Sequence, residues 1–150
     1  MPKKYICMIL ATLFLVVLVY WLIKEDEAWT FVHAAQQGNL AKLSQELSSG
    51  FDPNTKVYPG GVTALRMAIE NHKQAAVQLL LSNGADPNDG IALAVNMNQP
   101  EIVDLLLHEG ANINSKEIST LLYLAEQKGD KKMISVLKSA NGSPQVKGNK

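Results

Sequence analysis

Leu79-Leu80-Leu81-Ser82-Asn83-Gly84-Ala85-Asp86-Pro87-Asn88 is the stretch that decides how this chain folds. It starts inside an apolar run and ends in turn chemistry. Ala76-Val77 and Leu80-Leu81 fall at i, i+1, i+4 and i+5, one broad face of a helix. Gly84 is free to take the left-handed conformation that ends a helix, and Asp86-Pro87-Asn88 turns the chain. The phrase occurs again as Gly50-Phe51-Asp52-Pro53-Asn54, 34 residues earlier, and as Gly110-Ala111-Asn112-Ile113-Asn114, 26 residues later. A helix-like run precedes each one: Leu40 to Ser48, Lys73 to Leu81, and Glu101 to His108. A shorter helical run precedes each of those, carrying Leu65, Ala68 and Ile69, or Ile91, Ala94 and Val95.

The spacing predicts an all-α chain of helix pairs closed by glycine turns. No single pair can bury its own apolar face, so the pairs must stack into a solenoid. Small Ala68 and Ala94 let the helices approach closely. Thr63-Ala64-Leu65-Arg66-Met67-Ala68 is similar to the ankyrin phrase T-P-L-H-x-A, with Ala for Pro and Arg for His. Leu79 to Asn88, and Leu105-Leu106-Leu107-His108-Glu109-Gly110-Ala111-Asn112-Ile113-Asn114, resemble the family's L-L-L-x-x-G-A-D-x-N. The resemblance to the ankyrin repeat family covers residues 28–139. It implies an ankyrin-type helix-pair solenoid of about four repeats, two full and two capping. The first capping repeat runs from Trp29 to Asn54, where His33, Gln36 and Gln37 suit an outer face with no neighbour. The last runs from Thr120 to Ala140. It sets Met133, Ile134, Val136 and Leu137 against a wet face of Lys131, Lys132, Ser135 and Lys138.

The 26-residue interval is about seven short of the family's 33. The missing residues fall between Asn88 and Ile91, where a projecting hairpin finger belongs, so that finger is expected to be absent or a tight turn. Lys56-Val57-Tyr58-Pro59-Gly60-Gly61-Val62 supplies a full finger before the second repeat.

The beginning of the chain is a different material. Tyr5 to Ile23 reads YICMILATLFLVVLVYWLI, without a charge. As a helix it extends roughly 28 Å, near the hydrocarbon thickness of a bilayer, with Tyr5 and Tyr20-Trp21 where aromatic belts lie. The run is too long for a signal-peptide core, and no small-residue cleavage site follows it. A core helix would show a polar face. A transmembrane signal anchor is therefore expected over 5–23, after a cytoplasmic N-terminus at 1–4. A short linker at 24–27, the repeat domain at 28–139 and a disordered tail at 140–150 follow. Lys3 and Lys4 before the span, against Lys24 with Glu25-Asp26-Glu27 after it, place the C-terminal domain on the non-cytoplasmic side. That side is the periplasm if the membrane is a bacterial inner one. Cys7 reads as one more apolar membrane residue, with reversible acylation as the alternative.

Composition agrees once it is divided by position. The 14 Lys and Arg balance 14 Asp and Glu overall, which argues against a nucleic-acid partner. After the span, 12 cations face 14 carboxylates, net −2. One cysteine excludes an internal disulfide. His108-Glu109 does not continue into H-E-x-x-H, and neither a P-loop nor a G-x-S-x-G elbow is present. Ser135-Val136-Leu137-Lys138 lacks the companions of S-x-x-K enzymes. Counting a calcium loop from Asp86 puts Met97 where a bidentate Glu is required. His33, His72 and His108 lie in different repeats without ligand spacing. Asn141-Gly142-Ser143 is formally a glycosylation sequon. No enzyme activity, cofactor, metal or small-molecule substrate is expected.

The resemblance implies a protein partner docked on the concave side. Carried over by position, it nominates Tyr58, Pro59 and Val62 on the finger, and Glu70, Asn71, Asn96, Met97, Gln127 and Lys128 at first-helix ends. The expected function is a membrane-tethered protein-binding module acting at the non-cytoplasmic face. One concrete form is a bacterial immunity or inhibitor protein against an envelope-acting toxin or lipase. The alternatives are an assembly scaffold for another envelope protein and, with reversed orientation, a cytoplasm-facing adaptor.

Overall fold

The computed structural model describes the backbone of residues 3–57, 60–113 and 115–142. It describes their side chains except at 3–8, 20–26, 115–117 and 141–142. The described chain is all-helical: α1 (Lys3–Gln37), α2 (Leu40–Ser48), α3 (Ala64–Glu70), α4 (Gln74–Ser82), a 3-10 turn (Pro87–Asp89), α5 (Ile91–Asn96), α6 (Pro100–His108), α7 (Ser115–Lys128) and α8 (Lys131–Gly142). Extended pairing among the described residues is limited to one bridge, Val57 to Val62.

The helices stack as two rows. α1 packs on α3 and α3 on α5, while α2, α4, α6 and α8 follow one another in the second row. The core runs between the rows. Phe31, Leu43, Leu65, Ile69, Leu80, Leu106, Met133 and Leu137 are its largest fully buried side chains. Ala68, Ala76 and Ala94 are also fully buried, the small residues that close approach requires. Phe31 meets Phe51 with ring centroids 4.6 Å apart, a contact worth about 0.5–1.5 kcal/mol beyond its buried area.

Two edges hold the rows in register. At one lie the turns that follow the second helices. Asn54 donates from Nδ2 to the Gly84 carbonyl at 2.9 Å, and its Oδ1 accepts from the Asp86 N–H at 2.8 Å. Asn88 Oδ1 accepts from the Asn112 N–H at 2.7 Å. The last Asn of the first two phrases, Asn54 and Asn88, thus ties its turn to the next one. Thr63, the N-cap of α3, donates to Asp89 at the same edge. At the opposite edge lie the ends of the first helices. Gln99 Nε2 donates to the Ile69 carbonyl at 2.8 Å, and Lys128 Nζ to the Asn96 carbonyl at 3.0 Å. First helices therefore run parallel, start beside start and end beside end.

The expected fingers differ as the spacing required. Val57 and Val62 exchange both backbone hydrogen bonds, at 2.9 and 3.1 Å, and close a hairpin before α3. Before α5 the finger is reduced to the 3-10 turn, capped by Asp86 through the Asn88 N–H at 2.9 Å.

Three boundaries depart from expectation. Residues 24–27, read as a linker, are helical, because α1 runs unbroken from Lys3 to Gln37. Lys and Glu are good helix formers and a single Asp costs under about 1 kcal/mol, so a change from apolar to charged residues does not by itself end the helix. α7 starts at Ser115, five residues before the expected Thr120, and takes up chain that a finger would have used. Residues 140–142, assigned to the tail, still belong to α8, while 143–150 lie outside the described residues. Among the described residues no helix is long and apolar enough to cross a membrane. Within the expected 5–23 span the described side chains are those of 9–19 alone, and the remainder of that expectation lies outside them.

Candidate functional site

The edge formed by the first-helix ends is the most regular exposed feature of the stack. Each first helix leaves through a residue with positive φ: Gly38 at 73°, His72 at 54°, Asn98 at 56° and Gly129 at 69°. The two residues before each form a column of pairs, Gln36-Gln37, Glu70-Asn71, Asn96-Met97 and Gln127-Lys128. Gln37, Glu70, Asn96, Gln127 and Lys128 are exposed; Gln36, Asn71 and Met97 are half-buried.

Local chemistry fixes these positions. Asn71 caps α3 and donates from Nδ2 to the Met67 carbonyl at 2.9 Å. Met97 caps α5, and its sulfur lies 3.7 Å from Gln99 Nε2. Gln99 is buried, and its Oε1 has no hydrogen-bond partner among the described residues. Asn98 donates from Nδ2 to Asp130 Oδ2 at 2.8 Å, joining the third repeat to the fourth.

Asp130 stands just ahead of α8 and caps its first turn. Its Oδ1 accepts from the Met133 and Lys132 N–H groups at 3.0 and 2.8 Å. The Met133 N–H and then the Asn98 amide hold its carboxyl below the usual range for Asp. Glu101 is likewise held low, first by its hydrogen bond from Lys132. Both carboxylates sit where two repeats meet, so their charge is used in joining helices.

The nominated residues fall on two edges. Glu70, Asn71, Asn96, Met97, Gln127 and Lys128 lie together along the first-helix ends, with Lys128 bonded directly to Asn96. Val62 lies at the other end of α3, half-buried in its bridge to Val57. Tyr58 and Pro59 lie outside the described residues. The length of α3 alone separates Val62 from Glu70 by about 10 Å.

Gln36 and Gln37 are the residues that sequence reasoning assigned elsewhere. Expected on an outer face, they stand in register with the other three pairs. The signal lies in Gly38-Asn39, the counterpart of Gly129-Asp130, each glycine nine residues after the start of its repeat at Trp29 or Thr120. Tyr123 and Leu124, on α7, are also exposed, Tyr123 at 62%. Among the described residues no group of three or more His, Cys, Asp or Glu is placed to hold a metal ion.

Comparison with known proteins agrees with this architecture. The family described as Ankyrin repeat matches at residues 60–90 and 91–118. The human "Ankyrin repeat and SOCS box protein 14" is 36% identical over 76 residues, 48% of this chain and 12% of that protein. The human "Mitochondrial disaggregase" is 44% identical over 59 residues, 39% of this chain and 8% of that protein. The bovine "Dynein axonemal heavy chain 12" is 37% identical over 76 residues, 48% of this chain and 20% of that protein. Each match covers a small part of a much longer relative, 8–20% of its length.

Proposed function

The chain belongs to the ankyrin repeat family, and from that premise we propose that it is a membrane-tethered protein-binding module that uses its first-helix edge. Ankyrin repeats are protein–protein interaction modules, and the stack described above is such a module. The observation that carries the finer reading is the column Gln36-Gln37, Glu70-Asn71, Asn96-Met97 and Gln127-Lys128. Eight side chains stand in one register on a rigid frame and change chemistry from repeat to repeat. A periodic frame with varied exposed residues suits recognition of an extended protein surface.

The tether rests on α1. Ile9, Leu10, Leu13, Phe14, Leu15, Val16, Val17, Leu18 and Val19, within the described side chains of 9–19, are 43–70% exposed, with Thr12 the one polar side chain among them. An exposed apolar surface of this extent is a site of interaction, and the charge-free run from 5 to 23 matches a bilayer in length. Lys3 and Lys4 favour a non-cytoplasmic stack. A partner there is a membrane protein or a soluble one arriving at that surface, and blocking an envelope-acting toxin or lipase is one such role. Tethering raises the effective concentration of the module for such a partner.

The test is capture by crosslinking from native membranes. Glu70→Lys with Met97→Ala is expected to reduce capture while helicity and thermal unfolding stay unchanged. Equal capture by this variant, with loss instead in a Tyr58→Ala, Val62→Ala variant, moves the surface to the finger.

A further inference from the structure

We propose that the stack stands upright on the bilayer. The edge built from Asn54, Asp86, Asn88 and Asn112 faces the lipid headgroups, and the first-helix ends are held about 20 Å away. This rests on the tethering reading above, and it adds a fixed orientation that tethering alone does not supply.

Three observations carry it. The first is the continuity of α1. One helix holds both the apolar run and the first helix of the stack, with residues 24–27 helical between them. Ala28, Phe31, Val32, Ala34 and Ala35 of the same helix are buried in the core. A continuous helix transmits direction, so a spanning segment sets the axis along which the stack rises. A flexible linker would leave that axis free.

The second is that first helices run parallel. The end of α1 lies beside the end of α3: a Cβ added at Gly38 would sit 3.1 Å from Lys73 Cδ. The start of α3 lies beside the start of α5, through Thr63 and Asp89. Every first helix therefore points away from the membrane, and every turn after a second helix points back toward it. From Ile23 to Gln37 the rise is fourteen residues, about 20 Å.

The third is the chemistry of the edge that this geometry turns toward lipid. Asp52, Asn54, Lys56, Asp86, Asn88 and Asn112 are exposed and polar, suited to a hydrated headgroup layer and unsuited to hydrocarbon. Trp29 is 47% exposed and six residues beyond Ile23. That rise of about 9 Å reaches the interfacial layer where tryptophan is enriched.

The experiment uses the full chain in vesicles of phosphatidylcholine with phosphatidylglycerol, in a Cys7→Ser background. Single cysteines at Lys56→Cys or Asn83→Cys (turn edge) and at Gln37→Cys or Gln74→Cys (opposite edge) carry a fluorophore. A headgroup-attached quencher reports the distance to lipid. Several-fold stronger quenching at the turn edge is expected. Flotation with the vesicles but equal quenching at both edges overturns the upright stance and leaves the tether intact. Failure to float overturns both. A Gly-Gly-Ser insertion after Asp26 should abolish the difference between the edges while flotation persists. An undiminished difference in that variant overturns the role given to helix continuity.

Discussion

Gly90 lies so close to Ile69 that a Cβ added to it would sit 2.4 Å from Ile69 Cδ1. The backbone of Gly90 has φ −111° and asks for no special freedom. Its missing side chain serves packing. Where the finger is lost, the chain passes directly from the 3-10 turn into α5 across the flank of α3, and a Cβ there requires the buried Ile69 Cδ1 to move. The other turn glycines differ in kind. Gly84 has φ +89° and open space around its Cβ position, so it is kept for its left-handed backbone.

Gly90→Ala is therefore expected to destabilise the stack by about 1–3 kcal/mol through overpacking, read by urea unfolding. Ile69→Val removes the atom in conflict. In the Gly90→Ala background it should cost much less than alone, or be stabilising, so the double-mutant cycle gives a coupling term. Additive effects of the two substitutions would show that Gly90 is retained for another reason.

Asn54→Ala deletes both hydrogen bonds that join the first turn to the second, and should cost about 1–2 kcal/mol. Asn54→Asp keeps the acceptor for the Asp86 N–H and loses the donor to Gly84, so its cost should be intermediate on the same denaturation assay. A wild-type midpoint for both variants would mean that the turn ladder holds no weight in the stack.

His72 occupies a left-handed backbone position that costs a side-chain-bearing residue about 1–2 kcal/mol. His72→Gly should raise the thermal midpoint. Asn98 tolerates the left-handed region better than His, and Asn98→Gly also loses the bond to Asp130, so its gain should be smaller or absent. Calorimetry on the two variants ranks them, and a larger gain for Asn98→Gly would contradict the geometry.

Asp130 has a carboxyl held below its ordinary value of 3.8 in the folded chain, first by the Met133 N–H. A group whose folded value is depressed contributes stability that is complete above the unfolded value and lost as pH falls through the folded one. The stability difference between wild type and Asp130→Asn should be constant at neutral pH and shrink below roughly pH 4. Denaturant titrations across that range measure it. A difference that grows with acid would reverse the sign assigned to the carboxylate.

The repeated Gly-x-Asp/Asn-x-Asn phrase and the apolar i, i+1, i+4, i+5 pattern were enough to read the helix pairs, the stack and the shortened finger. Each follows from rules that act over a few residues: a glycine turn, a helical face, a count of residues between phrases. The column of candidate binding residues was legible for the same reason, because position within a repeat is a matter of counting. Gln36-Gln37 was assigned to an outer face because the first repeat lacks a phrase ahead of it to count from.

The sequence by itself determined the all-α repeat architecture, the place of the repeated turns and the apolar character of residues 5–23. The tertiary structure decided what passes between elements. It carried α1 through Lys24–Glu27, since charged residues mark contact with water and do not end a helix. It started α7 at Ser115, set Gln99 under α3 and brought Asp130 to Asn98. It also chose Gly90, whose need for a bare Cα is invisible until Ile69 is packed against it. Contacts between residues some 20 to 30 positions apart depend on how helices seat in three dimensions, and no local pattern encodes that seating.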